Sequence, residues 1–500
     1  IMTIEELLAK VAKGEGEITG AINELRNGRT TPEPNTIQYA AQYDPKLHDI
    51  NDPLKRPDKL VVVDKDSDEY GEVKNINPNV EETTEQGFRI EKVARIALGM
   101  QKLITKRAVA FTFGNPVAYN ANPTDEKEKA LLNAIKRVFY DVKEGTLNRR
   151  VARSLYSTTE VAELWYPVET DTHELYGFKK NIKFKVAIFS PMFGDRLYPY
   201  FDEARDLVAF SRQFTRKDRD LVTRTYFETY TKDNHYLWTC KGLETATSGN
   251  NWEIVEGYPK KLTIGKIPVI YASQPQVEWE DVQSLIDRLE KLLSNFADTN
   301  DYHASPKIFV KGSIKGFCRK GEAGGIIEGE DGAEATYLSW QNAPESVKLE
   351  IDTLLRMIYT ITQTPDISFD TVKGIGAVSG VALKLLFMDA HLKVQDKNEV
   401  FADYLQRRIN VLKAFFAEAN LDWKQAADHL IIEPKITPYI IEDELSKINI
   451  LQAANGQRQI ASRRATVQRL GWADDTDEEL KEIEADEAKE SSYQQGEPTF

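Results

Sequence analysis

Three glycines in the segment 366–380, DISFDTVKGIGAVSG, have the spacing of a loop that could bind a phosphate group. Phosphate loops surround the oxygens with backbone N–H groups, and they also need a Lys-Ser or Lys-Thr ending and a preceding strand. This segment lacks that ending, and the apolar spacing before it is helical. The cluster from Gly14 to Gly20 fails the same test. We therefore predict no nucleotide site at either glycine cluster.

Two groups of carboxylates and histidines have the residue types of metal ligands. The run 64–68 begins like a calcium loop, but Glu69 occupies the position that requires glycine, and the closing glutamate is missing. Asp298, Asp301 and His303 lie close in sequence, and a helix end that faces solvent explains them equally well. No HExxH or CxxC motif is present. We therefore predict no metal ion and no cofactor.

Nucleophilic catalysis also lacks its residues. No GxSxG motif is present, and neither of the two cysteines, Cys240 and Cys318, has a histidine beside it in the sequence. Basic residues around Cys318 could lower the pKa of its thiol, but a small apolar residue in a β module is the favoured interpretation. Among 79 acidic residues, paired carboxylates arise by chance. We therefore predict no catalytic residues and no enzyme activity.

The elements around the glycine-rich segment indicate a different role for it. Between Val277 and Phe416 the sequence has three long amphipathic helices, and residues 366–380 separate the second from the third. Apolar residues recur about every 3.5 positions along the first helix, which Pro306 ends, and along the second, which Pro344 begins. A globular enzyme has little use for long helices joined by so small a loop. A ring-shaped channel can use this arrangement, because the helices can form its wall while the loop reaches into the central hole.

The rest of the chain combines helices with a sheet region. Alternating apolar and polar residues, with many aromatics, predict an antiparallel sheet from Ala162 to Ile270. Glycine breaks predict a small β module in residues 305–340. Further predictions are a helix pair in 1–26, an extended arm with few regular elements in 30–85, helices over Gly87–Thr105, Lys127–Val142 and Thr146–Leu155, a long helix from Ser379 to about Ala419, a basic and then acidic helical piece near the C-terminus, and disorder in the last ten residues. The predicted fold class is α+β.

The net charge restricts how the chain can meet nucleic acid. It has 65 Lys and Arg and 79 Asp and Glu, which gives a net charge of −14. This acidity argues against a protein that holds nucleic acid over its whole surface, but it suits a wall past which DNA slides. Two cysteines cannot form a disulfide framework, so folding in a reducing cytosol is expected. No apolar run approaches the ~18 residues of a membrane span, and no signal peptide is visible, so no membrane partner is expected.

Four cations form a basic patch in the β module: Lys311, Lys315, Arg319 and Lys320. Two interpretations of the patch remain open. It is either a surface that docks protein or faces DNA once a ring has formed, or ordinary surface charge balanced by nearby carboxylates. For the basic and then acidic C-terminal helices, charge pairing within and between subunits is favoured over a binding role.

The order of these elements, from about residue 88 to 490, resembles the portal protein family of tailed bacteriophages. In particular it is similar to the subfamily typical of long-tailed phages of Gram-positive hosts. Residues 277–312 give the best match, with Leu285-Ile286-Asp287, Ser294 and the exit Ile308–Gly312. Other matching segments are RAVAFTFGNPVAYNAN (107–122), VTRTYFETYTKDNHYLW (222–238), KIPVIYASQPQ (266–276), SGVALK (379–384) and IASRRATVQRLGWADDTDEELKEIEADE (460–487). The arm before residue 85 does not match strongly.

The resemblance implies a portal fold with wing, stem, clip and crown regions. The implied regions are an N-terminal pair of helices and arm (1–85), the wing (86–276), the first stem helix (277–304), the clip (305–341), the second stem helix (342–365), the tunnel loop (366–380), the long wing helix (381–433), the crown (434–490) and a disordered tail (491–500).

The resemblance also implies the partners. Portal proteins form a homo-oligomeric ring, usually a dodecamer, at one capsid vertex, and double-stranded DNA enters and leaves through it. The large terminase docks at the clip during packaging, and head-tail connector or adaptor proteins dock there afterwards. Major capsid and scaffolding proteins complete the expected partners. The chain is expected to be made in the cytoplasm of a host bacterium and to end in the virion.

Three sets of candidate site residues follow. The DNA-channel set in the tunnel loop is Phe369, Asp370, Thr371, Val372, Lys373, Gly374, Ile375 and Gly376. The clip docking set is Lys311, Lys315, Arg319 and Lys320. The stem subunit-contact set, apolar stripes that a monomer is expected to leave exposed, is Leu285, Ile286, Leu289, Leu292, Leu293, Phe296, Ile351, Leu354, Leu355 and Ile358. Lys373 is the only cation of the loop, and we expect it or its neighbours to approach DNA.

Two alternatives belong to other classes. A nucleic-acid processing enzyme, with an undetected site in the 162–270 sheet, predicts a compact monomer instead of a ring. A phage connector predicts a much shorter chain without the order of helix, β module and helix seen in residues 277–364.

Overall fold

A computed structural model describes most of the chain. The described ranges are 3–64, 86–218, 220–242, 251–304, 307–311, 314–316, 328–329, 334–338, 343–366, 387–439, 444–456, 459–472 and 476–494. The chain divides into two compact units. The first contains Ile1–Thr364 and Ala390–Pro438, and the second contains Pro365–Asp389 and Tyr439–Phe500.

The described residues combine helices with antiparallel strands, as the α+β prediction requires. The helices are α1 (Ile4–Ala12), α2 (Ile18–Asn27), α3 (Thr36–Tyr43), α4 (Met100–Phe113), α5 (Glu126–Asp141), α6 (Glu144–Thr158), α7 (Gln283–Ala304), α8 (Ala343–Ile361), α9 (Met388–Ala419), α10 (Lys424–His429), α11 (Glu444–Ala454), α12 (Arg463–Leu470) and α13 (Thr476–Gln494). The strands are β1 (Lys59–Asp64), β2 (Gln86–Glu91), β3 (Ala118–Ala121), β4 (Glu160–His173), β5 (Lys180–Phe189), β6 (Arg196–Phe201), β7 (Leu207–Lys217), β8 (Thr223–Tyr230), β9 (Asn234–Lys241), β10 (Glu253–Ile254), β11 (Lys260–Lys261), β12 (Val269–Ser273), β13 (Lys307–Lys311), β14 (Ile314–Gly316), β15 (Glu328–Gly329), β16 (Glu334–Leu338) and β17 (Ile432–Lys435).

Helices α1 and α2 confirm the predicted N-terminal pair. The Thr3 hydroxyl caps α1 by accepting a hydrogen bond from the N–H of Glu6, and the Glu6 carboxylate accepts one from the N–H of Thr3. The apolar faces of both helices, including Leu8 and Leu25, are buried against sheet residues such as Trp238. The pair is therefore part of the sheet's core.

Two antiparallel sheets confirm the predicted sheet region. The larger sheet has the order β10-β9-β8-β7-β6, with β11 pairing to β9, and the smaller has the order β12-β4-β5. Phe210 and Tyr230 of the larger sheet share one apolar cluster with Ala162, Phe189 and Tyr271 of the smaller sheet. The two sheets therefore pack on a common core through alternate side chains of their strands.

The predicted helix over Gly87–Thr105 is wrong. Strand β2 pairs antiparallel with β1, residues 92–99 have no regular secondary structure, and α4 begins only at Met100. The arm predicted over 30–85 also has more regular structure than expected. Helix α3 lies within it, because the Asn35 side chain caps that helix by accepting a hydrogen bond from the N–H of Gln38.

Helices α7 and α8 confirm the two predicted long helices that flank the β module. Strand β13 follows α7 and pairs antiparallel with β16, which precedes α8, and Lys307 lies opposite Leu338. This pairing brings the end of α7 beside the start of α8, so the two helices form a hairpin. The third predicted long helix is described as α9 from Met388, and its predicted start at Ser379 lies outside the described residues.

The C-terminal segment of the second unit is helical in its described part. The Ser462 hydroxyl caps α12, and Gly471 ends it with a φ of 75°. Helix α13 continues to Gln494, and 495–500 lie outside the described residues, so the disorder predicted for 491–500 stays a prediction. Strand β17 pairs with β3, and the first unit runs to Pro438. The boundary at 434 between the long wing helix and the crown stays a prediction.

Candidate functional site at the helical hairpin

The tunnel-loop candidates, Phe369, Asp370, Thr371, Val372, Lys373, Gly374, Ile375 and Gly376, all lie outside the described residues. So do two of the four clip candidates, Arg319 and Lys320. The other two are placed: Lys311 is exposed at the end of β13, and Lys315 lies in β14, which pairs with β15. The docking and DNA-channel roles of these residues stay predictions.

The stem candidates form a core within one chain. Ile286, Leu289 and Ile358 are 0–1% exposed, and they share one cluster with Leu292 and Leu354. Leu285, Leu293, Ile351 and Leu355 pack against the same cluster and are partly buried, and Phe296 is half-buried. The expectation that a monomer leaves these stripes exposed is wrong, because α7 and α8 cover each other. Contact with another subunit stays a prediction for these residues.

A second face of α7 carries three polar side chains, Glu290, Ser294 and Asp298, at four-residue intervals. We call these three residues the polar stripe, and residues 92–99 the strap segment. The polar stripe accepts hydrogen bonds from every second N–H of the strap segment: Leu98 donates to Glu290 (2.7 Å), Ile96 to Ser294 (2.9 Å) and Ala94 to Asp298 (2.7 Å).

The spacing of the polar stripe explains why the strap segment is not helical. Four residues of helix advance by about 6 Å, and two residues of extended chain advance by about 6.6 Å. Successive acceptors on α7 therefore meet alternate donors of a strand-like segment, whereas a helix would turn those N–H groups inward. The apolar residues of 87–105 have helical spacing, but the hydrogen-bond partners on α7 decide the local structure.

His48 links the N-terminal arm to the polar stripe. Its Nδ1 lies 2.7 Å from the Glu290 carboxylate, and its Nε2 lies 2.7 Å from the carbonyl oxygen of Gln42. Both His48 and Glu290 are buried. Burial by itself would lower the pKa of His48, but the hydrogen bond and charge of Glu290 outweigh it and raise that pKa above its ordinary value.

Arg56 links the arm to the other end of the polar stripe. Its guanidinium donates to Asp298 (2.8 Å), to Asn295 (2.9 Å) and to the carbonyl oxygen of Ala94 in the strap segment (2.9 Å). The interpretation of Asp298 as a metal ligand or as part of a solvent-facing helix end is therefore wrong, because its carboxylate is 14% exposed and is occupied by Arg56 and the N–H of Ala94.

The base of the hairpin is held by a junction of buried charges. Lys393 of α9 pairs with Glu278 (2.6 Å), just before α7, and donates to the carbonyl oxygen of Thr362 (2.9 Å), just after α8. Lys397 pairs with the same carboxylate. Burial would raise the pKa of Glu278, but the two lysines outweigh it and lower that pKa. Burial lowers the pKa of Lys393. One lysine thus joins α7, α8 and α9.

A second buried cation, Arg408, fixes α9 to the smaller sheet. It is fully buried and binds both oxygens of the Glu163 carboxylate in β4, at 2.6 and 2.8 Å. It also donates to Asn148 of α6 at 2.6 Å. The attraction of Glu163 outweighs the effect of burial and raises the pKa of Arg408. This pair positions the long helix on the sheet.

The sequence alone does not predict these polar contacts. Among 144 charged residues, which the counts of 65 basic and 79 acidic residues give, no single one is distinctive. One signal was available for the polar stripe, because polar residues recur every four positions beside the apolar stripe of the same helix. Nothing comparable marks Lys393 or Arg408, whose partners are far away in the sequence.

The described residues show neither a metal-binding cluster nor a membrane-spanning helix. Within them, no three His, Cys, Asp or Glu side chains lie close enough together to hold a metal ion. No described helix combines the length and apolar character needed to cross a membrane.

Comparison with known proteins provides a family assignment. The model of the family described as "Phage portal protein, SPP1 Gp6-like" matches residues 73–493, whereas no curated protein matches the chain. Two of the similar solved structures are the neck of an empty GTA particle with C6 symmetry (10% identity, 75% of this chain and 89% of that chain, TM-score 0.39) and the neck of a native GTA particle with C12 symmetry (11% identity, 75% and 89%, TM-score 0.37). Because the family model matches most of the sequence, the chain belongs to the SPP1 Gp6-like phage portal protein family.

Proposed function

We propose that copies of this chain assemble into a ring at one capsid vertex, and that double-stranded DNA passes through the ring during packaging and ejection. The family assignment supports a structural role in a phage particle and a protein that is not an enzyme. A dodecamer is the proposed assembly. The virion is the proposed final location, after synthesis in the cytoplasm of a host bacterium.

The observation that carries the proposal is the junction at Lys393. It joins the start of α7, the end of α8 and the early part of α9 through Glu278 and Thr362. The chain leaves this junction after α8 and returns to it through α9, and the proposed tunnel loop, residues 366–380, lies between. A loop that contacts moving DNA needs both of its ends held by rigid elements, and the buried junction supports such an arrangement.

The proposed partners follow from the same assignment. The large terminase and the head-tail connector or adaptor proteins are proposed to dock at the β module, with Lys311, Lys315, Arg319 and Lys320 as the docking surface. Major capsid and scaffolding proteins are proposed to bind elsewhere on the ring. The attribution to phages of Gram-positive hosts is part of this proposal.

Electron microscopy and a packaging assay test the proposal. Purified chain is expected to give rings with a central hole, and Lys373→Glu is expected to form the same rings but to package less DNA, with an altered dependence on salt. The matched control is Lys241→Glu, the same charge change at an exposed residue of β9. A compact monomer under all assembly conditions contradicts the ring, and unchanged packaging by Lys373→Glu contradicts the loop assignment.

A further inference from the structure

Strand β5 is an edge strand whose free side can be identified residue by residue. It pairs with β4 on one side and ends the order β12-β4-β5. Val186 lies opposite Trp165. The backbone N–H of Trp165 points away from β5 and donates to the carbonyl oxygen of Pro268. Trp165 and Val186 therefore form a non-hydrogen-bonded pair, in which the N–H and C=O of each residue point away from the other strand. The N–H and C=O of Val186 thus point away from β4.

Neighbouring residues of β5 confirm this alternation. The N–H of Phe184 donates to the Tyr176 hydroxyl (3.3 Å), and the carbonyl oxygen of Ile182 lies 2.9 Å from the His173 ring. Side chains of the β4–β5 connection therefore cover the first part of the edge. At Val186 and Ile188 the described part of the chain supplies no such partner for the outward backbone groups. Unpaired backbone of this kind can accept another strand.

A groove lies along the uncovered part of the edge. Its volume is about 610 Å³, and six consecutive residues of β5, 183–188, line one side of it. Consecutive residues of a strand point their side chains to opposite faces of the sheet. Residues of both faces can line the same groove only when the groove runs along the backbone edge of the strand. Helices α5 and α6 form the other side, with Val142 and Leu147 among the lining residues. The groove is thus bounded by a strand edge and by apolar side chains.

Cations surround this groove in a chain that is acidic as a whole. Lys183, Lys185, Arg137 and Arg150 line the groove and are exposed, and among the described lining residues Asp141 is the single carboxylate. Asp141 pairs with Arg137 at 3.2 Å. Within the described part of the chain, Lys183, Lys185 and Arg150 have no carboxylate within 4.0 Å. The surface therefore offers three uncompensated positive charges beside unpaired backbone groups.

We propose that the β5 edge binds an extended acidic segment of a partner protein as an added strand. Backbone hydrogen bonds to Val186 and Ile188 hold the segment, and carboxylates on it meet Lys183, Lys185 and Arg150. Pairing of β5 with the β5 of a second copy is disfavoured, because it would place two positively charged surfaces against each other. Duplex DNA fits the charge but has no row of N–H and C=O groups to pair with the edge.

Fluorescence anisotropy with a labelled eight-residue peptide, in which Asp alternates with Val, tests the proposal on the full chain. Binding is expected to weaken as salt increases. A peptide of the same sequence with alternate amides N-methylated is expected to bind at least about tenfold more weakly, which corresponds to about 1.4 kcal/mol. A labelled DNA duplex serves as the competing class of ligand.

Val186→Pro separates backbone pairing from charge. The N–H that proline removes points away from β4, and proline is tolerated on an edge strand in that orientation, so the fold is expected to persist. The variant is expected to bind the peptide at least about tenfold more weakly. Lys185→Glu is expected to weaken binding and its salt dependence, whereas Lys217→Glu, at an exposed position of β7, is expected to leave both unchanged.

Three outcomes overturn the proposal. One is equal binding of the plain and N-methylated peptides, or of Val186→Pro and the original chain, because strand addition requires the backbone. Another is binding of the duplex with no binding of the peptide, which makes the groove a phosphate surface. The third is peptide binding by the monomer that disappears in assembled rings, because a second copy then covers the edge.

Discussion

The two buried faces of α7 differ in chemistry, and each fixes something different. Toward α8 the helix presents apolar residues such as Ile286 and Leu289, whose burial stabilises the hairpin without specifying direction. Toward the strap segment it presents Glu290, Ser294 and Asp298, each of which meets one particular N–H group. Apolar packing tolerates small shifts, whereas three directional bonds set one register. The apolar face therefore supplies stability, and the polar stripe supplies alignment.

The largest expected effect comes from the apolar face. Leu289→Ala leaves a cavity at a residue that is 1% exposed, and it is expected to lower the free energy of unfolding by about 2–5 kcal/mol. Urea denaturation of the monomeric chain measures this. Leu349→Ala, at a residue of α8 that is 69% exposed, is the control and is expected to stay within about 0.5 kcal/mol. Equal effects of the two variants would falsify the assignment of Leu289 to an internal core.

A smaller effect is expected from the polar stripe. Ser294→Ala removes the acceptor of the Ile96 N–H and leaves that donor unpaired, which is expected to cost about 1–3 kcal/mol. Hydrogen exchange of the Ile96 amide is expected to accelerate more than that of amides inside α8.

Ser284→Ala is the matched control for Ser294→Ala, because Ser284 is exposed on the same helix. If exchange accelerates equally along α8 and the strap segment, the polar stripe does not act on alignment separately from overall stability.

The smallest expected effect is the pH dependence contributed by His48. Its pKa is raised in the folded chain, so the stabilisation is fully present below its unfolded pKa of about 6.5. It is lost as pH rises through the folded pKa, with a slope of at most about 1.4 kcal/mol per pH unit. His48→Gln is expected to remove this slope in denaturation measured from pH 5 to 9. His429→Gln, at an exposed histidine, serves as the control, and a slope unchanged by His48→Gln contradicts the pairing with Glu290.

Sequence periodicity was sufficient where packing is local. The stripe that includes Ile286 and Leu289 predicted α7, and alternation predicted the sheets, because each pattern reports which side chains face a core. It failed at residues 92–99, where apolar spacing suggested a helix but partners almost two hundred positions away decided the structure. The contact between Leu98 and Glu290 spans 192 positions, and no local pattern encodes it.

The candidate site shows the same limit. Pro306 and Pro344 placed the β module correctly, because proline ends or begins a helix by its own geometry. The role of Lys393 depends on Glu278 and Thr362, which different elements bring to it. Only the folded chain brings those three residues together.

The junction at Lys393 has a mechanical consequence. A force applied to the chain between α8 and α9 acts on Thr362 at one end and on the helix that carries Lys393 at the other. Lys393 donates a hydrogen bond to the carbonyl oxygen of Thr362, so the two ends are linked directly. The hydrogen bond between Lys393 and Thr362 therefore carries most of this force. The ion pair between Lys393 and Glu278 transmits the rest to the start of α7. Tension on that segment is shared by three helices at once, so it strains the hairpin as a unit and does not peel one helix from the others.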